Sequence, residues 1–332
     1  MGSRPSLFLH VPIHKTGSTA LQQTLFCNEA RLNTENITYL PDFTMDFQHS
    51  CLAATAGDAL RGLLKQMRAR SGGRSIILST EQLHFLDDHP VADFIAALTE
   101  VFAGYDIKVV IYLRRQDEAF SSFYNQIVKF GTTTDNTGQA FSIYARFFDY
   151  ERYLSLVRAN LRKTDTMTVR IYDRNTLVGS DIVDDFLNAV GLMHCPIDKL
   201  PHMINPSLEK NVLKLKRAMN FHLDDAPIKL LQSLAGVLGD VSCQINNGNP
   251  DTNVLSVLER DLIMSSYAES NRRMVDQYLG GISFNSDIRP EPNYESSLDI
   301  VLPAVLARLA RYFFHIVNEP RSAADGREEH NP

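Results

Sequence analysis

The sequence predicts an α/β fold in which a central, mostly parallel sheet is flanked by helices and followed by a C-terminal helical layer. Over the first 200 residues, short runs that are apolar on both faces alternate with helical patterns. Such runs are typical of parallel strands covered by helices on both sides of the sheet. After residue 200 only helical patterns remain. We therefore predict a single domain over 1–318, with an α/β core at 5–200 and a helical layer at 201–318.

The elements follow from these patterns in chain order. The first strand is 7–11, and a polar turn leads from it into a helix at 18–30. Further strands are expected at 37–40, 75–79, 107–113 and 167–172. Apolar residues spaced three or four apart, with capping and glycine signals, predict further helices at 52–67, 91–102, 118–130, 141–161 and within 180–192. The C-terminal helices are expected at 207–220, 227–238, 254–279 and 298–317, and the polar tail 319–332 is expected to be disordered.

Composition narrows the class of protein. The net charge of −6 over 332 residues argues against a general nucleic-acid binder. The four cysteines lie far apart, which indicates neither a disulfide framework nor a zinc site and suits a reducing compartment. No run approaches the ~20 apolar residues of a membrane span, and the first apolar run is too short for a signal-peptide core. We expect a cytoplasmic protein, and its oligomeric state is left open.

The turn "PIHKTGST" between the first strand and its helix has the composition of an anion site. A helix N-terminus presents unpaired N–H groups and the positive end of the helix dipole. Lys15 adds a charge, Gly17 allows close backbone approach, and hydroxyls come from Thr16, Ser18 and Thr19. The standard phosphate loop G-x-x-x-x-G-K-[ST] is not matched, because the first glycine is missing and the lysine precedes the glycine. An ordinary strand–helix connection with a Ser or Thr cap is the alternative.

The pattern Pro-x-x-Lys-Thr-Gly-Ser-Thr resembles the 5′-phosphosulfate loop of sulfotransferases that use 3′-phosphoadenosine 5′-phosphosulfate (PAPS). A second segment, "LRRQDEAFSSFY", strengthens the resemblance, because Arg114 ends an apolar strand and Ser122 follows eight residues later, as in that family. A surface charge at a strand end is the alternative for Arg114. The resemblance implies a P-loop type of nucleotide-binding fold in which Arg114 and Ser122 hold the 3′-phosphate. It also implies cofactor contacts from the loop residues His14, Lys15, Thr16, Gly17, Ser18 and Thr19.

The same resemblance suggests a reaction and a base. Lys15 would stabilise the charge on the oxygen that bridges phosphate and sulfur, and Glu81 follows a strand where the family commonly places its catalytic carboxylate or histidine. We expect the Glu81 carboxylate to face the acceptor rather than the phosphates. His49, in "FQHSC", and His84, one helical turn after Glu81, remain alternative bases, and each of the three has a plain structural alternative. No metal is implied.

The expected activity is transfer of a sulfuryl group from PAPS to a hydroxyl of a sugar or glycan. The glycan is implied by the resemblance, which is closest to bacterial polysaccharide sulfotransferases. An ATP-dependent small-molecule kinase of the same fold is the first alternative, although Arg114 and Ser122 would then have no evident task. A non-catalytic nucleotide-binding protein is the second. Arg170, Tyr172 and Asp173 end a predicted strand and either line the cleft or pack at the sheet edge.

Overall fold

The computed structural model describes residues 4–13, 16–200, 207–223, 227–245 and 251–285, and six more between 302 and 309. These residues belong to two compact units. The first comprises the described residues within Met1–Tyr124, Asn136–Asn205 and Leu255–Arg289, and the second those within Asn125–Asp135, Pro206–Val254 and Pro290–Pro332. The sheet belongs to the first unit. The tail 319–332 and most of the helix expected at 298–317 lie outside the described residues.

The first unit is built on a five-stranded sheet in which every strand is parallel to its neighbours. Its strands are β1 (Ser6–Pro12), β2 (Ile37–Thr38), β3 (Ser75–Ser79), β4 (Asp106–Leu113) and β5 (Thr166–Ile171). Their order across the sheet is β2-β3-β1-β4-β5. In the centre, Leu9 of β1 pairs with Leu78 of β3 on one side and Val109 of β4 on the other. The predicted α/β class with a parallel sheet flanked by helices is confirmed.

Thirteen α-helices are described. In chain order they are α1 (Ser18–Cys27), α2 (Glu29–Thr34), α3 (Cys51–Ala54), α4 (Gly57–Ser71), α5 (Asp88–Val101), α6 (Gln116–Lys129), α7 (Thr137–Tyr144), α8 (Tyr150–Asn160), α9 (Ile182–Val190), α10 (Lys210–Asn220), α11 (Ile228–Gln244), α12 (Val257–Ser266) and α13 (Ala268–Tyr278). The division between the units falls within α6, and α10 and α11 belong to the second unit. None of the helices within the described ranges has the length and apolar character needed to cross a bilayer.

Two long helices predicted from the sequence are each divided in the structure. The helix expected at 141–161 consists of α7 and α8, separated by a 3₁₀ turn at Ala145–Phe148. Asp149 begins α8 by accepting a hydrogen bond from the backbone N–H of Arg152. The helix expected at 254–279 breaks at Tyr267 between α12 and α13. Periodicity does not detect these breaks, because apolar spacing continues through a one-residue or one-turn interruption.

Helices cover both faces of the sheet. Phe8, Ile77, Val110 and Tyr112 share one buried cluster with apolar residues of α1, α2 and α9. On the other face, Leu7, Leu9, Leu78 and Val109 have no exposed surface. Strands buried on both faces explain the continuous apolar runs of the sequence.

The strand order creates a divergence at the carboxyl edge of the sheet. The chain leaves β1 toward β2 and β3 on one side, and it leaves β4 toward β5 on the other. Open parallel sheets bind ligands in the crevice where neighbouring strands send their connections in opposite directions. The carboxyl ends of β1 and β4 form such a crevice, and both predicted anion motifs begin there.

Candidate functional site

The turn after β1 is tightly folded. The Ile13 N–H donates to the Tyr112 carbonyl at 3.1 Å, which extends the β1–β4 pairing beyond Pro12. The buried Thr16 hydroxyl donates to the Ile13 carbonyl at 2.8 Å and closes the turn. Gly17 then adopts a left-handed conformation (φ 73°) immediately before α1. The chain therefore reverses abruptly, and α1 begins at the carboxyl edge of the sheet. His14 and Lys15 lie outside the described residues.

Gly17 is also required by a close contact. A Cβ atom at this position would lie 2.8 Å from the Tyr172 hydroxyl and 3.0 Å from a ring carbon of the same residue. Tyr172 follows β5, and its N–H donates to the Leu113 carbonyl at 2.7 Å. The half-buried Tyr172 ring thus lies on Gly17 and also packs against the buried cluster on this face of the sheet. Only glycine combines the left-handed φ with so close an approach.

Glu81 meets the same turn from the other side. It follows β3 and precedes a 3₁₀ turn at Gln82–Phe85. The buried Ser18 hydroxyl donates a short hydrogen bond to Oε1 of Glu81. This carboxylate therefore contacts the first residue of α1, and the expectation that it faces the acceptor stays a prediction. The sequence did not indicate the contact, because the two partners are 63 positions apart in the chain.

Arg114 lies just beyond β4, two residues after Tyr112, which pairs with Pro12 of β1. Its carbonyl accepts a hydrogen bond from the hydroxyl of the fully buried Tyr150 at 2.8 Å, which fixes the backbone. Its Nε donates to Oε2 of Glu118 at 3.0 Å, and about one-fifth of each side chain is exposed, 20% and 21%. Glu118 was not among the predicted site residues, although opposite charges four apart on a helix are a recognisable signal.

Ser122, Thr19 and Arg115 differ in how exposed their side chains are. Ser122 is half-buried on α6, two helical turns after Arg114, and Thr19 is exposed on the first turn of α1. Arg115 does not face solvent: it forms an ion pair with Asp117 at 3.0 Å, with only 11% of its side chain exposed. Of the two consecutive arginines, Arg114 is therefore the one next to the crevice, and Arg115 belongs to a buried ion-pair network.

His49 has a structural role. It is fully buried, its Nε2 lies 2.8 Å from the Tyr39 carbonyl, and the Ser79 N–H donates to its Nδ1 at 3.1 Å. Burial lowers the pKa of His49 to about 4. The ring is therefore neutral near pH 7, and the protein backbone engages both of its nitrogens. This geometry disfavours His49 as the base and leaves Glu81 as the stronger candidate.

His84 lies in an aromatic cluster that follows Glu81 in the chain. The His84 ring is buried, and its centroid is 5.1 Å from that of Phe85 and 5.3 Å from that of Tyr153. Phe85 also stacks on Phe123 at 5.4 Å and meets Phe147 edge-on at 5.2 Å. Phe85, four residues after Glu81 in the chain, and Phe147 are only half-buried, so part of each ring is exposed.

Arg170, near the end of β5, joins the sheet to α9, which fits the packing alternative for this residue. It pairs with the fully buried Asp185, which also accepts a hydrogen bond from the Tyr112 hydroxyl at 2.7 Å. Within the described ranges, no group of three or more His, Cys, Asp or Glu side chains is placed to hold a metal ion. Among the described residues, the N-terminus of α1, the Ser18 hydroxyl and Arg114 follow the neighbouring strands β1 and β4, and each of the two side chains contacts a carboxylate.

Comparison with known proteins adds little on function. No protein-family model matches the chain. An uncharacterized protein of Archaeoglobus fulgidus is 28% identical over 173 residues, which are 52% of this chain and 46% of that protein. The chain thus matches about half the length of this curated relative. Function must therefore be argued from the site itself.

Proposed function

We propose that the protein is a PAPS-dependent sulfotransferase that acts on a hydroxyl of a sugar or glycan and releases 3′-phosphoadenosine 5′-phosphate (PAP). One observation carries the proposal. The turn at Gly17 and the arginine at 114 follow neighbouring strands, β1 and β4, at the point where the chain leaves them in opposite directions. Open α/β sheets bind ligands at such a point, which supports two anion positions at adjacent strand ends.

The two positions suit the 5′-phosphosulfate and the 3′-phosphate of PAPS. The α1 N-terminus, with the backbone N–H groups from Gly17 to Thr19, would hold the 5′-phosphosulfate, because it offers donors and the positive end of a dipole. The Arg114 guanidinium would hold the 3′-phosphate from the β4 side, together with the Ser122 hydroxyl. Lys15 keeps its proposed catalytic role on the sequence pattern alone.

Glu81 is the proposed base. In the reaction, the acceptor oxygen forms a bond to sulfur while the bond from sulfur to the bridging phosphate oxygen breaks, so PAP leaves with the electron pair. The acceptor hydroxyl gives its proton to the Glu81 carboxylate. A glycan acceptor rests on the resemblance of the motifs. The half-exposed rings of Phe85, four residues after Glu81, and of its neighbour Phe147 would suit the apolar face of a sugar ring.

Isothermal calorimetry with PAP, adenosine 5′-phosphate and ADP tests the nucleotide assignment. PAP should bind much more tightly than adenosine 5′-phosphate, which differs from it only by the 3′-phosphate. Removing one partner of a desolvated charge pair costs roughly 2–5 kcal/mol, so Arg114→Ala should bring the two affinities close together. Arg174→Ala, an exposed arginine beyond β5, is the matched control and should change neither affinity.

Three outcomes would contradict the proposal. Equal affinities of the unmutated protein for PAP and adenosine 5′-phosphate would remove the 3′-phosphate site. Magnesium-dependent binding of ADP that is tighter than binding of PAP would favour the kinase alternative. Selective PAP binding without sulfuryl transfer to any glycan or other hydroxyl compound would leave the non-catalytic nucleotide-binding protein.

A further inference from the structure

Each of the two anion positions is in contact with a carboxylate of the chain itself. At the start of α1, the Ser18 hydroxyl donates to Glu81. Just beyond β4, the Arg114 guanidinium donates through Nε to Glu118 at 3.0 Å. The two carboxylates come from different elements, Glu81 from the turn after β3 and Glu118 from the first turn of α6. The repetition at both positions indicates more than an isolated surface pair.

At the 5′ position the carboxylate and a phosphate compete directly. A serine hydroxyl has one hydrogen to donate, so Ser18 serves either Glu81 or a nucleotide oxygen. Ser18 is buried and Glu81 is half-buried, so the repulsion between the carboxylate and an incoming anion is only partly screened by water. Any ligand with a 5′-phosphate meets this repulsion, whatever group it carries at its 3′ position.

At the 3′ position the competition is selective. Glu118 bonds Arg114 at its Nε edge, and about four-fifths of both side chains is buried. A 3′-phosphate that binds Arg114 must share the guanidinium with this carboxylate or displace it. A nucleotide without a 3′-phosphate makes no such demand. Glu118 therefore acts only on ligands that carry the 3′-phosphate.

We infer that Glu81 and Glu118 hold the two anion positions in the absence of nucleotide and thereby set its affinity. Glu81 lowers the affinity for every 5′-phosphorylated ligand, and Glu118 determines how strongly the protein prefers a 3′-phosphate. The inference rests on the proposed function for the identity of the nucleotide. It goes beyond that function by making Glu118 a specificity-determining residue and by giving the proposed base a second task.

The test is calorimetry on two isosteric variants at one fixed salt concentration, because surface charge effects depend on ionic strength. Glutamine keeps the shape and an acceptor oxygen but removes the charge. Glu81→Gln should tighten PAP and adenosine 5′-phosphate alike, by about tenfold, and leave their ratio unchanged. Glu118→Gln should tighten PAP by a similar factor and leave adenosine 5′-phosphate unaltered. Glu100→Gln, an exposed glutamate paired with Arg61 on α4, is the matched control.

The outcomes separate this inference from the proposed function. Equal binding of PAP and adenosine 5′-phosphate by the unmutated protein, with Glu81→Gln still tightening both, would overturn the sulfotransferase and the role of Glu118 but support the role of Glu81. A clear preference for PAP in the unmutated protein, with both affinities unchanged in both glutamine variants, would support the sulfotransferase and overturn the inference. A Glu118→Gln effect of equal size on both ligands would overturn its role in specificity.

Discussion

Among single residues, Glu81 has two proposed roles that require different contacts of its carboxylate. In the chain without nucleotide it accepts a hydrogen bond from Ser18, whereas a base must be available to the acceptor hydroxyl. Both are compatible if nucleotide binding takes over the Ser18 hydroxyl, because the carboxylate then no longer accepts this hydrogen bond from α1.

Glu81→Gln should lower turnover by roughly 10²–10⁴-fold, the usual contribution of a positioned general base. The glutamine keeps the shape of the side chain but does not accept a proton near pH 7. Turnover is measured as release of PAP from PAPS in the presence of a glycan acceptor, with nucleotide saturating so that tighter binding does not mask the loss. A variant that turns over within a few-fold of the unmutated protein would exclude Glu81 as the base.

His49→Gln is the matched comparison for that experiment. Both nitrogens of His49 engage the backbone at Tyr39 and Ser79, so the substitution should lower thermal stability while the folded fraction keeps its turnover. Loss of turnover in a fully folded His49→Gln protein, measured at saturating PAPS, would instead indicate that His49, in the loop after β2, is the base.

The sequence predicts single residues well where the requirement is local. Gly17 is recognisable because a strand-to-helix turn needs a left-handed residue within a few positions, and the structure adds the Tyr172 contact as a second reason. The contacts of Glu81 and His49 were not predictable in this way. They depend on partners 63 and 30 residues away, which only the pairing of β3 in the sheet brings close.

At the scale of the element, the start of α6 shows how neighbouring residues divide two tasks. Arg114 pairs with Glu118, whereas Arg115 pairs with Asp117. The other carboxylate oxygen of Asp117 accepts from Arg260 of α12 at 3.3 Å, and Asp117 has no exposed surface. The segment "RRQDE" predicts a helix start, but it does not indicate which arginine is buried, because α12 comes some 140 residues later.

Asp117→Asn should destabilise the protein, because it leaves two largely buried arginines without their shared counter-charge. Removing one partner from a buried ion pair costs roughly 3–5 kcal/mol. Because both arginines share Asp117, we expect the free energy of unfolding to fall by an amount in this range. Urea unfolding followed by circular dichroism is suitable, since the chain has no tryptophan. Asp261→Asn, an exposed carboxylate on α12, is the control and should stay within about 0.5 kcal/mol. An equal effect of both substitutions would mean that the buried pair adds no stability.

At the scale of the whole molecule, the parallel sheet was predictable because strands apolar on both faces leave few alternatives. The order β2-β3-β1-β4-β5 was not, since nothing local to β1 specifies which strands lie beside it. That order nevertheless determines which candidate residues lie close together. It sets the carboxyl ends of β3, β1, β4 and β5 next to one another, and each of these strand ends supplies one of the groups around the turn at Gly17.

The same sheet buries two histidines, and they should make the folded protein sensitive to acid. Burial lowers the pKa of His10, on β1, to about 3 and that of His49, beside β3, to about 4. In the unfolded chain both should titrate near pH 6.5. Between about pH 4 and 6.5 the unfolded state therefore binds more protons than the folded state, so stability is present above pH 6.5 and is lost as the pH falls.

Each histidine should contribute a slope of about 1.4 kcal/mol per pH unit in the free energy of unfolding between pH 5 and 6, a window above the usual carboxylate pKa of about 4. His10 packs edge-on against Tyr112 and Phe186, so His10→Phe fits the same aromatic surroundings and removes one titrating group. Urea unfolding at several pH values should show the slope reduced by one proton in this variant. If His10→Phe kept the full slope of the unmutated protein, the buried ring would not be the group whose protonation accompanies acid unfolding.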